Sequence, residues 1–121
     1  MGNNTILKTT PIRIKLHNSL YNNSTFTTEF INVLNDYLTA DFNSHVEIDS
    51  FDFQSKTMII LKNSELEKFE WEGCIHMSLI YMINNHKELE LSKEEKDIIV
   101  RDIKLFMDIM YLTSTYVIIH F

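Results

Sequence analysis

Glycine, proline and cysteine are nearly missing from these 121 residues: two Gly, one Pro and one Cys. Phosphate-cradling loops need glycines so that backbone amides can approach the anion. With Gly2 and Gly73 alone, neither a P-loop nor a dinucleotide fingerprint can be written. Turns must be made by Asn, Asp and Ser, whose side chains bond the neighbouring backbone. A single cysteine, Cys74, excludes an intrachain disulfide and fits a cytoplasmic setting better than a secreted one. A continuous apolar run of membrane-spanning length is also missing. The longest nearly apolar stretch, residues 109–121, is interrupted by Thr113, Ser114 and Thr115 and is shorter than the ~20 residues a span requires. The N-terminus has no apolar signal core, and Ile6 occupies the position where myristoylation of Gly2 would require Ser or Thr. The expectation is a cytoplasmic protein with no membrane partner.

Basic charge is scarce too. Eleven Lys and Arg stand against 17 Asp and Glu, a net charge of −6. Nucleic-acid affinity rests on neutralising phosphates, and the one basic cluster, Lys8, Arg13 and Lys15, is a thin footprint without interleaved aromatics. Direct nucleic-acid binding is therefore not expected.

What is present is core material: 45% hydrophobic residues, among them eight Phe, five Tyr and Trp71. That is enough for one folded domain of this length and too little for two. The expectation is a flexible N-terminus over residues 1–10 followed by a single α+β domain over 11–121. Ile12, Ile14 and Leu16 alternate with Arg13, Lys15 and His17 after Pro11, a period of two that reads as a strand. Phe26, Phe30, Val33, Leu34, Tyr37 and Leu38 recur at helical spacing, giving a helix from about residue 25 to 39.

In the segment His45 to Phe53, Val46 and Ile48 share one phase while Phe51 and Phe53 fall on the other, which predicts a β-bulge or bend near Ser50. Thr57 to Lys62 is apolar on both faces and reads as a central strand, so residues 45–62 make a hairpin. Ser64 and Glu67 match a capping box at the start of a helix that carries apolar residues almost all round, so it should be largely buried. Ser92 and Glu95 repeat that box before a helix through Met110. Residues 113–121 read as a final strand, the alternative being continuation of that last helix. The sum is a small antiparallel or mixed sheet in a β-α-β-β-α-α-β order, with helices packed mainly on one face.

Chemistry-bearing patterns are sparse. Cys74 and His76 are the one local pair of metal-ligand type, but residues two apart on a helix point about 200° from each other and cannot share an ion. Cys74 lies among apolar residues, where a thiol is a small hydrophobe and a poor nucleophile. No GxSxG elbow occurs. The Glu pairs of the later helices fit a solvated face, and a paired-carboxylate mechanism needs a cleft. No catalytic residue, metal site or cofactor is assigned, and the protein is expected not to be an enzyme.

One asymmetry carries information. Between Lys15 and Lys56 there is no Lys or Arg, while Glu29, Asp36, Asp41, Glu47, Asp49 and Asp52 all fall there. Residues 16–55 thus hold the net charge of the entire chain. A one-signed surface speeds encounter with an oppositely charged partner and suppresses wrong ones. Asp36, Tyr37, Asp41, Phe42, Glu47, Asp49 and Asp52 form the expected partner-binding set, carboxylates for steering and aromatics as anchors.

In size, acidity and abundance of Asn, Phe and Tyr, the chain resembles bacterial toxin-immunity proteins and phage-encoded inhibitors of host defence. The likeness is one of composition and covers no motif. It implies a non-catalytic protein-binding inhibitor docking an acidic surface on a basic partner such as a nuclease. The alternative is a structural or assembly subunit, for instance a homodimer, that self-associates through its apolar helices.

Overall fold

A computed structural model describes residues 2–121, with side chains from Thr9 onward. The helices α1 (Gly2–Ser19) and α2 (Phe26–Phe42) precede a hairpin of β1 (Val46–Asp52) and β2 (Thr57–Lys62). Two further helices, α3 (Lys68–Asn85) and α4 (Lys93–Arg101), lead through a 3-10 turn (Ile103–Phe106) to β3 (Ile109–Leu112) and β4 (Tyr116–His120). The strands form one antiparallel sheet in the order β1-β2-β4-β3. This is the expected α+β class.

The helices cover one face of the sheet. Val46, Met58, Ile60, Met110, Val117 and Ile119 point inward and are buried under Leu16, Leu34, Leu38, Trp71, Ile75 and Leu79. Where the chain turns into α2, Tyr21, Phe26, Phe30 and Phe121 stack at centroid separations of 4.8–5.9 Å, edge-on or tilted. Such pairs add stabilisation beyond the area they bury.

Two expected elements differ. Residues 11–17 are helical, not a strand. Ile12, Leu16 and Leu20 sit one turn apart and are buried, whereas Ile14 is 55% exposed. The alternation of Ile12, Ile14 and Leu16 contains an i, i+4 pair that serves a helix equally well. The expectation of a flexible stretch over residues 1–10 concerns a segment of which Met1 and the side chains of residues 2–8 lie outside the described residues.

The helix expected to run to Met110 instead ends at Arg101. Asp102 breaks the helical dihedrals, and the chain passes through the 3-10 turn into β3, pairing Ile109–Leu112 with Val117–His120. Residues 113–121 are therefore the end of a hairpin and not a helical continuation. Thr113 closes that hairpin, its Oγ1 accepting the Tyr116 N–H at 2.7 Å.

Other expectations hold. The ladder of β1 with β2 slips between Ile48 and Ser50, at the foreseen bulge. β2 is central, between β1 and β4. Ser92 caps α4 reciprocally with Glu95: its Oγ accepts the Glu95 N–H at 3.1 Å, and the Glu95 carboxylate accepts the Ser92 N–H at 2.9 Å. The start of α3 comes three residues later than the Ser64–Glu67 box. Glu67 is the cap, and its N–H donates to the Glu70 carboxylate at 2.9 Å.

Candidate functional site

Of the seven expected partner-binding residues, the structure gathers three and sets three apart. Tyr37, Asp41 and Phe42 lie on the C-terminal half of α2 and face α3 across a groove. Glu47 and Asp52 belong to β1 and, by the alternation that buries Val46 and packs Phe51 inward, project from the other face of the sheet. Asp49 sits in the bulge without a ladder partner. Asp36 is exposed on α2, one residue from Tyr37.

The groove follows from two helices packed antiparallel. Phe26, Phe30, Ile31, Leu34 and Leu38 turn one side of α2 into the core. Trp71, Cys74, Ile75, Ser78, Leu79, Met82 and Ile83 do the same for α3. What remains along the crossing is a stripe on each helix at four-residue spacing, the spacing that keeps side chains on one helix face. On α2 the stripe is Glu29, Val33, Tyr37 and Asp41. On α3 it is Phe69, Gly73, Met77 and Tyr81.

At one end, Tyr37, Asp41 and Phe42 with Phe69, Gly73 and Met77 bound about 340 Å³. At the other, Glu29 and Val33 with Tyr81 and Met82 help bound about 440 Å³. Phe69 is 72% exposed, Met77 47% and Tyr81 48%. Single exposed apolar residues are ordinary, but these three stand in line beside the groove and form a contiguous apolar strip.

Gly73 stands in the middle of that line. A side chain added there would meet nothing within 4 Å. Packing inside the protein therefore does not call for a glycine, although glycine within a helix costs roughly 0.5–1 kcal/mol relative to alanine. Its effect is to leave the groove floor open between Phe69 and Met77, where another backbone could approach closely.

The rim is acidic. Glu29, Asp36, Asp41 and Glu70 take part in no ion pair among the described residues; the pairs found there join Arg13 to Asp108, Lys15 to Glu95 and Lys104 to Glu72. Lys68 lies on the other side of α3, in a recess shared with Glu72, His76 and Lys104. The cations near the start of α3 are thus turned away from the groove. At the far end Lys87 and Glu88 lie side by side and offset each other. The local field is felt by Cys74, whose thiol is pushed above its ordinary range first by burial and then by the charges of Asp41 and Glu70.

Cys74 and His76 occupy opposite sides of α3, Cys74 on the groove and His76 on the Lys104 recess. No histidine lines the groove beside the thiol. Among the described residues no three His, Cys, Asp or Glu side chains converge on a point that could hold a metal ion. Among them, too, no helix is long and apolar enough to cross a membrane.

Phe69, Met77 and Tyr81 are the residues that sequence reasoning placed wrongly, on a buried face of a largely buried helix. The signal was an apolar surface wider than one core could absorb. A helix that is apolar nearly all round does not reveal which arc meets the core and which is left for something else. No protein-family model matches the chain, and no curated protein or solved structure matches it either.

Proposed function

We propose that this protein acts by binding, without catalysis, and that the α2–α3 groove receives an amphipathic basic segment of a partner protein. The observation that carries the reading is the juxtaposition of exposed Phe69, Met77 and open Gly73 with Asp41 and Glu70, carboxylates that have no cationic partner among the described residues. The stripe from Phe69 to Tyr81 runs about 18 Å, matching a helix of roughly 12 to 15 residues. Apolar side chains of such a helix would fill the groove while flanking Lys or Arg meet the rim.

An inhibitor of a basic enzyme, such as a nuclease toxin or another nucleic-acid-handling protein, is the role this surface fits best. Carboxylates at the rim raise the association rate with a cationic target and discriminate against acidic proteins. The compositional likeness to immunity and anti-defence proteins points the same way. Self-association through the same helices fits less well, because a second copy would bring Asp41 and Glu70 against an identical acidic rim.

A suitable probe is a synthetic amphipathic peptide of roughly 14 residues, with leucines on one face and lysines flanking them. In NMR titration, the amides of Tyr37, Asp41, Phe69, Gly73 and Met77 should shift together. Affinity should fall at least tenfold between ~50 and ~500 mM salt, and Asp41→Lys or Phe69→Ala should weaken it. Shifts scattered over the surface, or an equal response to a peptide with Glu in place of Lys, would overturn the reading.

A further inference from the structure

The face of the sheet turned away from the helices carries a second surface. An antiparallel sheet packed on one side normally alternates apolar inward and polar outward. Here most outward positions of three strands are apolar as well, the exceptions being Thr57 and His120, which pair with each other at one end of the face. Ile59 and Leu61 on β2, Tyr116 and Ile118 on β4, and Ile109 and Tyr111 on β3 share that face.

Their register makes the patch continuous. Ile59 pairs with Ile118 and Ile118 with Tyr111, while Leu61 pairs with Tyr116. Leu61 is 37% exposed, Ile109 40% and Tyr111 51%. Lys and Arg are absent from these positions. Carboxylates appear only at the β1 edge, where Glu47 faces Leu61 and Asp52 faces Thr57.

We infer that this face is the contact surface of a homodimer, packed sheet against sheet about a two-fold axis along the junction of β2 and β4. The charge pattern selects the occupant. A nucleic acid or an anionic membrane would find no Lys or Arg and an acidic border, with the one histidine, His120, bonded to Thr57 Oγ1. A basic protein would have to strip water from its cations over an uncharged Ile, Leu and Tyr centre. A second copy supplies the same apolar side chains and no opposing charge.

With the axis along the strands, Ile59 of one copy lies over Ile118 of the other. Each β1 edge then lies over the other copy's β3 edge, so Glu47, Asp49 and Asp52 approach the Tyr111 side and not one another. Association through the β1 edge itself is discouraged, because its ladder is interrupted at the bulge and its side chains are acidic.

The size of the patch sets the strength. Strands of about five residues at ~3.4 Å each and ~4.8 Å apart give a face of about 300 Å² in projection. Even with side-chain relief, this falls short of the ~800 Å² per partner of a standard interface. The dimer is therefore weak and reversible, with a dissociation constant of roughly a micromolar or higher. It uses the face opposite the groove, so it stands or falls independently of the function proposed above.

Sedimentation velocity on the full chain from about 1 µM to about 1 mM tests it. The mass should rise from 14.4 kDa towards twice that value, and added salt should not reverse the rise. Ile118→Lys and Tyr111→Lys should each move the midpoint at least tenfold higher, while Phe69→Ala leaves it in place. Tyr111, half exposed on an edge strand, tolerates the change even if Ile118→Lys were to perturb folding. A monomer over the whole range, or a dimer indifferent to Tyr111→Lys, would refute the assignment.

Discussion

Asn35 and Val46 hold each other by two hydrogen bonds: Asn35 Nδ2 donates to the Val46 carbonyl at 3.0 Å, and the Val46 N–H donates to Asn35 Oδ1 at 2.7 Å. A side-chain amide on α2 thus satisfies both main-chain groups of the first residue of β1. The edge strand is thereby pinned to the helix that carries the groove.

Replacing Asn35 with Leu removes both partners from a partly buried backbone pair, and should cost about 1–3 kcal/mol. Asn35→Asp keeps one acceptor and loses the donor to the carbonyl, so its cost should be smaller but clearly measurable. Urea unfolding of the three proteins checks the order. Equal stability of Asn35→Leu and the parent would show that the clamp contributes nothing.

Gly73→Ala separates stability from recognition. The added methyl meets open space, so the helix-propensity gain of about 0.5–1 kcal/mol should appear as a higher melting temperature. The same methyl narrows the groove floor and should weaken binding of the lysine-flanked peptide. A variant that is more stable and binds equally well would remove Gly73 from the site.

Two histidines tie stability to pH. Burial, the dominant cause in each case, lowers the pKa of His17 and of His76 below the ordinary 6.5. The Arg13 charge lowers His17 further, whereas Glu72 partly opposes the shift at His76. The unfolded chain therefore binds protons more readily than the folded one. The stabilisation is complete above about 6.5 and declines as pH falls through the folded-state values. Melting temperature should drop between about pH 7 and pH 5, and the double variant His17→Gln, His76→Gln should flatten that part of the curve. A second decline belongs to Glu95, whose carboxylate is lowered from 4.5 chiefly by the Ser92 N–H and then by Lys15. That contribution is present above about 4.5 and is lost at lower pH.

Much of the fold was legible because local chemistry and burial agreed. Phe26, Phe30, Leu34 and Leu38 could only serve a helix, the opposed phases of Ile48 and Phe51 required a bulge, and Ser92 with Glu95 announced α4. The failures came where one pattern served two periods. Ile12 and Leu16 satisfy both a strand and a helix, and only Ile14 pointing outward decides between them. At Ile103 to Met110 the helical spacing continues, yet Met110 is needed in the sheet beside Ile119. Half of the groove was legible from Tyr37, Asp41 and Phe42. Phe69, Met77 and Tyr81 were not, because an exposed apolar side chain looks the same in sequence as a buried one.

The strand order holds a consequence for how the chain reaches this state. Each half of the sheet is a local hairpin, β1 with β2 and β3 with β4, quick to close on its own. The two meet only through β2 and β4, where Thr57 Oγ1 lies 3.0 Å from His120 Nδ1, 63 positions further along the chain. Loop closure of that length is the slow, entropically costly event. Until it happens, Met58, Ile60, Val117 and Ile119 each have a ladder partner on one side only, and the sheet is two hairpins joined by α3 and α4.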